Sequence, residues 1–92
     1  MKELSVVITV MNEEENIKPL LEAVRSALSA IDYEIILVDD GSTDKTKQQI
    51  LEHADDRTVL VELRKNYGQS TAMTAGIDHS HGRYVALLDG DL

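Results

Sequence analysis

Four short apolar runs punctuate the chain: Leu4 to Met11 (LSVVITVM), Tyr33 to Val38 (YEIILV), Thr58 to Leu63 (TVLVEL) and Arg83 to Leu88 (RYVALL). The first carries no charge and is rich in Val and Ile, as in a strand covered on both faces. Helical patterns separate the runs. Ile17, Leu20, Leu21, Val24, Leu28 and Ile31 recur at the spacing of one helix face. A second helix is expected over about residues 44–54. A third is expected over residues 70–80, packing through Ala72, Met73, Gly76 and Ile77. The order β-α-β-α-β-α-β with right-handed crossovers predicts an α/β fold: a doubly wound, mostly parallel, Rossmann-like sheet of expected strand order 3-2-1-4.

Local chemistry agrees with these elements. Pro19 is tolerable only in a first helical turn, where its missing N–H would have no partner anyway. Glu13, Glu14 and Glu15 suit the positive end of the first helix dipole. Ser42 or Thr43 is placed to cap the second helix. His81-Gly82 closes the third, and Met73 and Tyr84 read as core.

The 92 residues suffice for one domain, and no uncharged stretch approaches the roughly 20 residues that span a bilayer. The N-terminus shows no signal-peptide pattern. The chain has no cysteine, which removes disulfides, thiolate metal sites and cysteine nucleophiles and fits a cytoplasmic setting. A net charge of −8 opposes binding to nucleic acid, since a polyanion needs an excess of Lys and Arg. For the same reason a small anionic ligand would need a local cation.

In open parallel sheets, ligands bind beyond the carboxyl ends of the strands. Asn12 and Glu13 follow the first strand, and Asp39, Asp40 and Gly41 follow the second. Arg64, Lys65 and Asn66 follow the third, and Asp89, Gly90 and Asp91 the fourth. All are expected on one rim. Neither G-x-G-x-x-G nor G-x-x-x-x-G-K-[ST] is present, which argues against dehydrogenase-type dinucleotide binding and P-loop nucleotide hydrolysis. A divalent cation, Mg2+ or Mn2+, is an alternative partner for phosphate, because hard cations prefer carboxylate oxygen. His53, His79 and His81 sit at or beyond helix ends, on the side away from that rim, and do not read as ligands.

The stretches VVITVMNEEENI, IILVDDGSTDKT, LRKNYGQSTAMTAGIDHSHG and YVALLDGDL cover nearly the whole chain. In their order and spacing they resemble the glycosyltransferases of family 2, with the GT-A fold, and among these the polyprenyl-phosphate sugar synthases. The resemblance implies an enzyme that transfers a sugar, with inversion, from a nucleotide-diphosphate sugar to an isoprenoid phosphate. It implies that Thr9 to Glu13 border the nucleoside, with Glu13 near base and ribose and Met11 packing on the base. Asp39 would bond the base edge and Asp40 would support the turn that follows it. Asp89, Gly90 and Asp91 would form the D-x-D that meets ribose, diphosphate and metal, with Asp89 and Asp91 as the metal ligands. Arg64 and Lys65 begin the R-N-x-G-like stretch, Lys65 being an extra residue.

The chain departs from the family's V-x-P-x-[YF]-N-E pattern, with Thr9 and Met11 in place of Pro and an aromatic. By the resemblance, residues 1–92 are the nucleotide-sugar-binding part. The acceptor half, the catalytic base and any membrane helices are expected beyond Leu92, and the segment alone is expected to be inactive. A membrane acceptor lipid belongs to the parent protein only. The fourth strand, left at an edge, is expected to pair between copies into a homo-oligomer or to leave a marginally stable monomer. The rival class is a receiver-like signalling module, which also sets paired acids at strand ends. Its acid pair follows the first strand, however, and its phospho-accepting Asp follows the third, where this chain has Arg64-Lys65-Asn66.

Overall fold

The computed structural model describes residues 2–90. The elements are β1 (Leu4–Val10), α1 (Ile17–Ala27), β2 (Tyr33–Asp39), α2 (Thr46–His53), β3 (Thr58–Glu62), α3 (Gln69–Asp78) and β4 (Tyr84–Asp89). All strand pairs are parallel, in the order β3-β2-β1-β4. The expected doubly wound topology is therefore present.

Side chains alternate across the central strands, and each face has its own helices. Val6, Ile8 and Val10 of β1 join Tyr33, Ile35 and Leu37 of β2 beneath Ile17, Leu20 and Leu21 of α1 and Ile50 of α2. On the opposite face Val7, Ile36 and Val38 pack against Ala72 of α3. Small residues let α3 approach closely. A Cβ on Gly76 would come within 2.3 Å of Val7 Cγ1. Burial of the β1 and β2 side chains supplies most of the hydrophobic driving force, at roughly 1.5–3 kcal/mol for each large one.

Four local expectations are corrected. α1 begins at Ile17 with Asn16 as its N-cap, so Glu13 to Glu15 precede the helix and no acid lies in its first turn. They form a separate turn closed by the Asn16 N–H donating to the Glu13 carbonyl at 2.9 Å. At α2 the N-cap is Lys45, without a side-chain cap bond. Asp44 Oδ1 instead accepts the Thr46 N–H at 2.9 Å, and the Ser42 hydroxyl accepts the Asn12 N–H. Tyr84 is not core: it is 58% exposed, as Val85, Leu87 and Leu88 are in part. Among the described residues the strand is paired with β1 alone, and α3 packs over β1 and β2. Ile77 likewise stays exposed on α3, while Met73 is partly buried.

At the amino ends of the strands lies a buried polar cluster. Glu34 accepts the Ser5 hydroxyl and the His81 N–H, both at 2.6 Å, and lies 3.3 Å from the His81 ring Nδ1. Ser5 Oγ in turn accepts the Gly82 N–H at 2.7 Å. The cluster fastens the α3–β4 connection to β1 and β2. His81 thus has a structural partner on the rim opposite the strand carboxyl ends.

Candidate functional site

The loops after β1 and β2 are tied together. Asn12 adopts a left-handed φ of 52°, a conformation Asn tolerates better than most residues. Its side-chain Oδ1 accepts the Thr43 N–H at 2.8 Å and the Asp44 N–H at 3.3 Å. The Glu13 N–H donates to Thr46 Oγ1 at 2.9 Å, and Glu14 N–H reaches Asp44 Oδ2. Burial raises the Asp44 carboxyl pKa, but the bonds from Thr46 and Glu14 outweigh it and hold it below the ordinary aspartate value. The Glu13 carboxylate is itself oriented, accepting Asn16 Nδ2 at 2.6 Å.

Beside this clamp, at the carboxyl ends of β1, β2 and β4, opens a cavity of about 220 Å³ lined by Thr9, Val10, Met11, Glu13, Asp40, Gln69 and Asp89. Thr9 and Asp89 are register partners on adjacent strands. Gly90 follows with its N–H bonded to the Thr9 carbonyl at 2.9 Å. It packs so closely that a Cβ would sit 2.5 Å from Val10 Cγ1 and 2.8 Å from the Thr9 carbonyl oxygen. The small residue between the two acids is thus required by space. Asp91 lies outside the described residues.

Asp40 reaches across to the start of α3. Its Oδ1 accepts the Tyr67 N–H at 2.8 Å and its Oδ2 the Gly68 N–H at 3.1 Å. Gly68 has φ 100°, which glycine adopts without penalty. The turn so held delivers Gln69, the first residue of α3, into the cavity. Sequence reasoning missed Gln69, which lies one residue before the third helix as expected over residues 70–80. The available signal was its place at a helix start on the same rim.

The other candidates lie apart. Asp39 is 2% exposed at the end of β2, and its Oδ1 accepts the Ser42 N–H at 3.0 Å. Alternation along β2 turns it toward the α1–α2 face, away from Thr9. Asp40, not Asp39, lines the cavity. Arg64 and Lys65 are exposed and do not line it; the Lys65 ammonium lies 5.3 Å from the Tyr67 ring centre.

Among the described residues no group of three or more His, Cys, Asp or Glu side chains is arranged to hold a metal. Asp89 nevertheless offers hard oxygen at the rim, and magnesium commonly takes only one or two carboxylates beside its substrate phosphates. The donor chemistry fits a divalent cation. Among the described residues no helix is long and apolar enough to cross a membrane.

A parallel sheet of order β3-β2-β1-β4, with an acidic cavity over the β1–β4 carboxyl ends, defines an open α/β protein whose cavity lies where such sheets bind their ligands. The family follows from comparison. Residues 5–92 match the model of glycosyl transferase family 2, and the chain belongs to that family. It is 44% identical over 95 residues to the dodecaprenyl-phosphate galacturonate synthase of Rhizobium johnstonii, covering 98% of this chain and 28% of that protein. It is 41% identical over 96 residues to the undecaprenyl-phosphate 4-deoxy-4-formamido-L-arabinose transferase of Photorhabdus laumondii, covering 99% and 30%. The mannosyltransferase of Pyrobaculum calidifontis in complex with GDP-Man and Mn2+ superposes with a TM-score of 0.84 at 25% identity, over 98% of this chain and 28% of that one. The chain therefore spans under a third of the length of the curated relatives it matches.

Proposed function

We propose that this chain is the donor-binding part of an inverting glycosyltransferase that moves a sugar from a nucleotide-diphosphate sugar to a polyprenyl phosphate. The observation that carries the reading is the convergence of Thr9, Glu13, Asp40 and Asp89, from three strand ends, on one cavity. The named substrates of the polyprenyl-phosphate relatives and the GDP-Man and Mn2+ of the structural neighbour support it.

In this reading Thr9, Met11 and Glu13 border the nucleoside, and Asp40 stands at the base edge, while Asp39 holds the turn after β2 through the Ser42 N–H. Asp89, Gly90 and Asp91 meet ribose, diphosphate and cation. Asp89 and Asp91 would hold Mg2+ or Mn2+, which when bound neutralises the diphosphate leaving group as the sugar departs. Thr9 and Glu13 orient the nucleoside, and the Gly90–Thr9 bond fixes where Asp89 presents its carboxylate. Arg64 and Lys65 flank the α3 turn as a source of positive charge for the donor. The general base belongs to the acceptor half of the parent protein, which would work at the cytoplasmic face of the membrane. Copies of this segment pair through β4, a proposal supported by the exposure of Tyr84, Val85, Leu87 and Leu88.

The strand order also bears on the signalling alternative. Flavodoxin-like receivers place the first strand between the second and third, whereas here β1 lies between β2 and β4. Titrating UDP- and GDP-sugars with and without Mn2+ tests the proposal. Saturable, metal-dependent binding that Asp89→Ala removes supports it. Acetyl-phosphate labelling of an aspartate, without nucleotide binding, would overturn it.

A further inference from the structure

We infer that Gln69 is a specificity-determining residue of the donor site, donating a hydrogen bond to a ring carbonyl of the nucleobase, with Asp40 accepting from the ring N–H beside it. This rests on the donor-binding reading above and deepens it. It selects bases that carry a lactam or imide edge, uracil or guanine, over those that present an amino group there, cytosine or adenine.

The cavity is poor in side-chain hydrogen-bond donors. Glu13, Asp40 and Asp89 line it with carboxylates, which when ionised only accept hydrogen bonds. Val10 and Met11 offer no N–H or O–H donor from their side chains. Thr9 brings a hydroxyl, and Gln69 brings the only side-chain N–H among the described lining residues. Its amide makes no hydrogen bond to any described side chain or backbone group, so its donor capacity is uncommitted.

Its side chain is exposed, but its backbone position is fixed. Asp40 holds the N–H groups of Tyr67 and Gly68, so the residue that follows is delivered beside that carboxylate. Each Asp40 oxygen accepts one of those bonds and, with about two lone pairs each, has room for another. An acceptor and a donor side by side match an N–H flanked by a C=O. Against a ring nitrogen flanked by an amino group, the Asp40 carboxylate would face the lone pair of that nitrogen, and a site polar group left unpaired is the main source of discrimination between analogues.

The test is calorimetric titration of the chain, with Mn2+, by UDP, GDP, CDP and ADP. The wild type is expected to bind UDP or GDP more tightly than CDP and ADP, the tighter of the first two naming the base. Gln69→Ala should weaken the preferred nucleotide by about three- to tenfold, the size of one neutral hydrogen bond. It should weaken CDP and ADP less, narrowing the ratio between bases. Gln69→Glu, which keeps the size but replaces the donor with an acceptor, should narrow the ratio further. Position 69 is the first of a helix, where both substitutions are tolerated. A purely structural role would weaken all four nucleotides alike. An unchanged ratio in both variants, or a wild type without preference, overturns the inference while leaving donor binding intact. A wild type that binds none of the four overturns the donor-binding reading itself.

Discussion

The Gly90 N–H donates to the Thr9 carbonyl over 2.9 Å, joining the acidic turn after β4 to the last turn of the β1 ladder. That bond places Asp89 opposite Thr9 at the mouth of the cavity. The contact also leaves no room for a side chain. Gly90→Ala would drive a methyl group into Val10 Cγ1 and the Thr9 carbonyl, backbone that cannot swing aside. Overpacking of this kind costs typically 1–3 kcal/mol. Urea denaturation should therefore show a fall of about that size in Gly90→Ala, and an unchanged midpoint would contradict the packing.

Asp40 acts on stability as well as on the site. In Asp40→Ala the N–H groups of Tyr67 and Gly68 lose their acceptor. Loss of charge-assisted bonds to partly buried amides costs about 1.5–3 kcal/mol. Amide hydrogen exchange should accelerate first at Tyr67, Gly68 and the opening turn of α3. Uniform acceleration across the chain would instead indicate global destabilisation without the local tether.

A third expectation concerns acid. Burial raises the Glu34 carboxyl, but the Ser5 hydroxyl, the His81 amide and the His81 ring together hold it below its ordinary value of 4.5. A carboxyl depressed in the folded state stabilises above its unfolded pKa, and that contribution is lost as pH falls through the folded value. Thermal stability should therefore decline as pH falls below 4.5. Asp44 and Asp55, both depressed from 3.8, add to the loss at lower pH. Glu34→Gln should flatten the upper part of that decline, and the same slope in both proteins would show that Glu34 does not govern it.

The edge of β4 bears on association. Val85, Leu87 and Leu88 are each 40–46% exposed on a strand that, among the described residues, is paired on one side only. Sedimentation equilibrium should show concentration-dependent self-association, and Leu87→Lys should suppress it, since charge on an edge blocks strand pairing. A monodisperse monomer at every concentration would contradict pairing through this edge.

What the residues revealed in advance follows from which forces are local. β1 and β2 were legible because a strand buried on both faces must be apolar throughout, and LSVVITV and YEIILV are nearly so. β4 has a similar composition, yet YVALL is largely exposed, because burial depends on neighbouring elements and not on the strand itself. The strand-end rule placed Glu13, Asp40 and Asp89 on one rim, since a parallel sheet leaves little freedom there, whereas Thr9 came from the family resemblance. Asp39 and Asp40 could not be ranked from the sequence: one sits inside β2 and the other just past it, and that one-residue difference decides which face each acid takes. Gln69 was signalled only weakly, by its place at a helix start. Only the tether from Asp40, 27 residues away from Tyr67 in sequence, brings it to the cavity.

In the donor-binding reading the cation and diphosphate meet at the β1–β4 rim. A second acidic cavity, lined by Asn12, Glu13, Glu14, Glu15, Asn16 and Asp44, has no arranged ligand set but would attract Mn2+ by charge alone. Paramagnetic broadening of the backbone amides by Mn2+, measured by NMR in the presence of UDP or GDP, separates the two. Binding at the rim predicts strongest broadening at Asp89, Gly90 and Thr9, dependent on the nucleotide and lost in Asp89→Ala. Broadening centred on Glu14, Glu15 and Asp44, or independent of nucleotide, would contradict it.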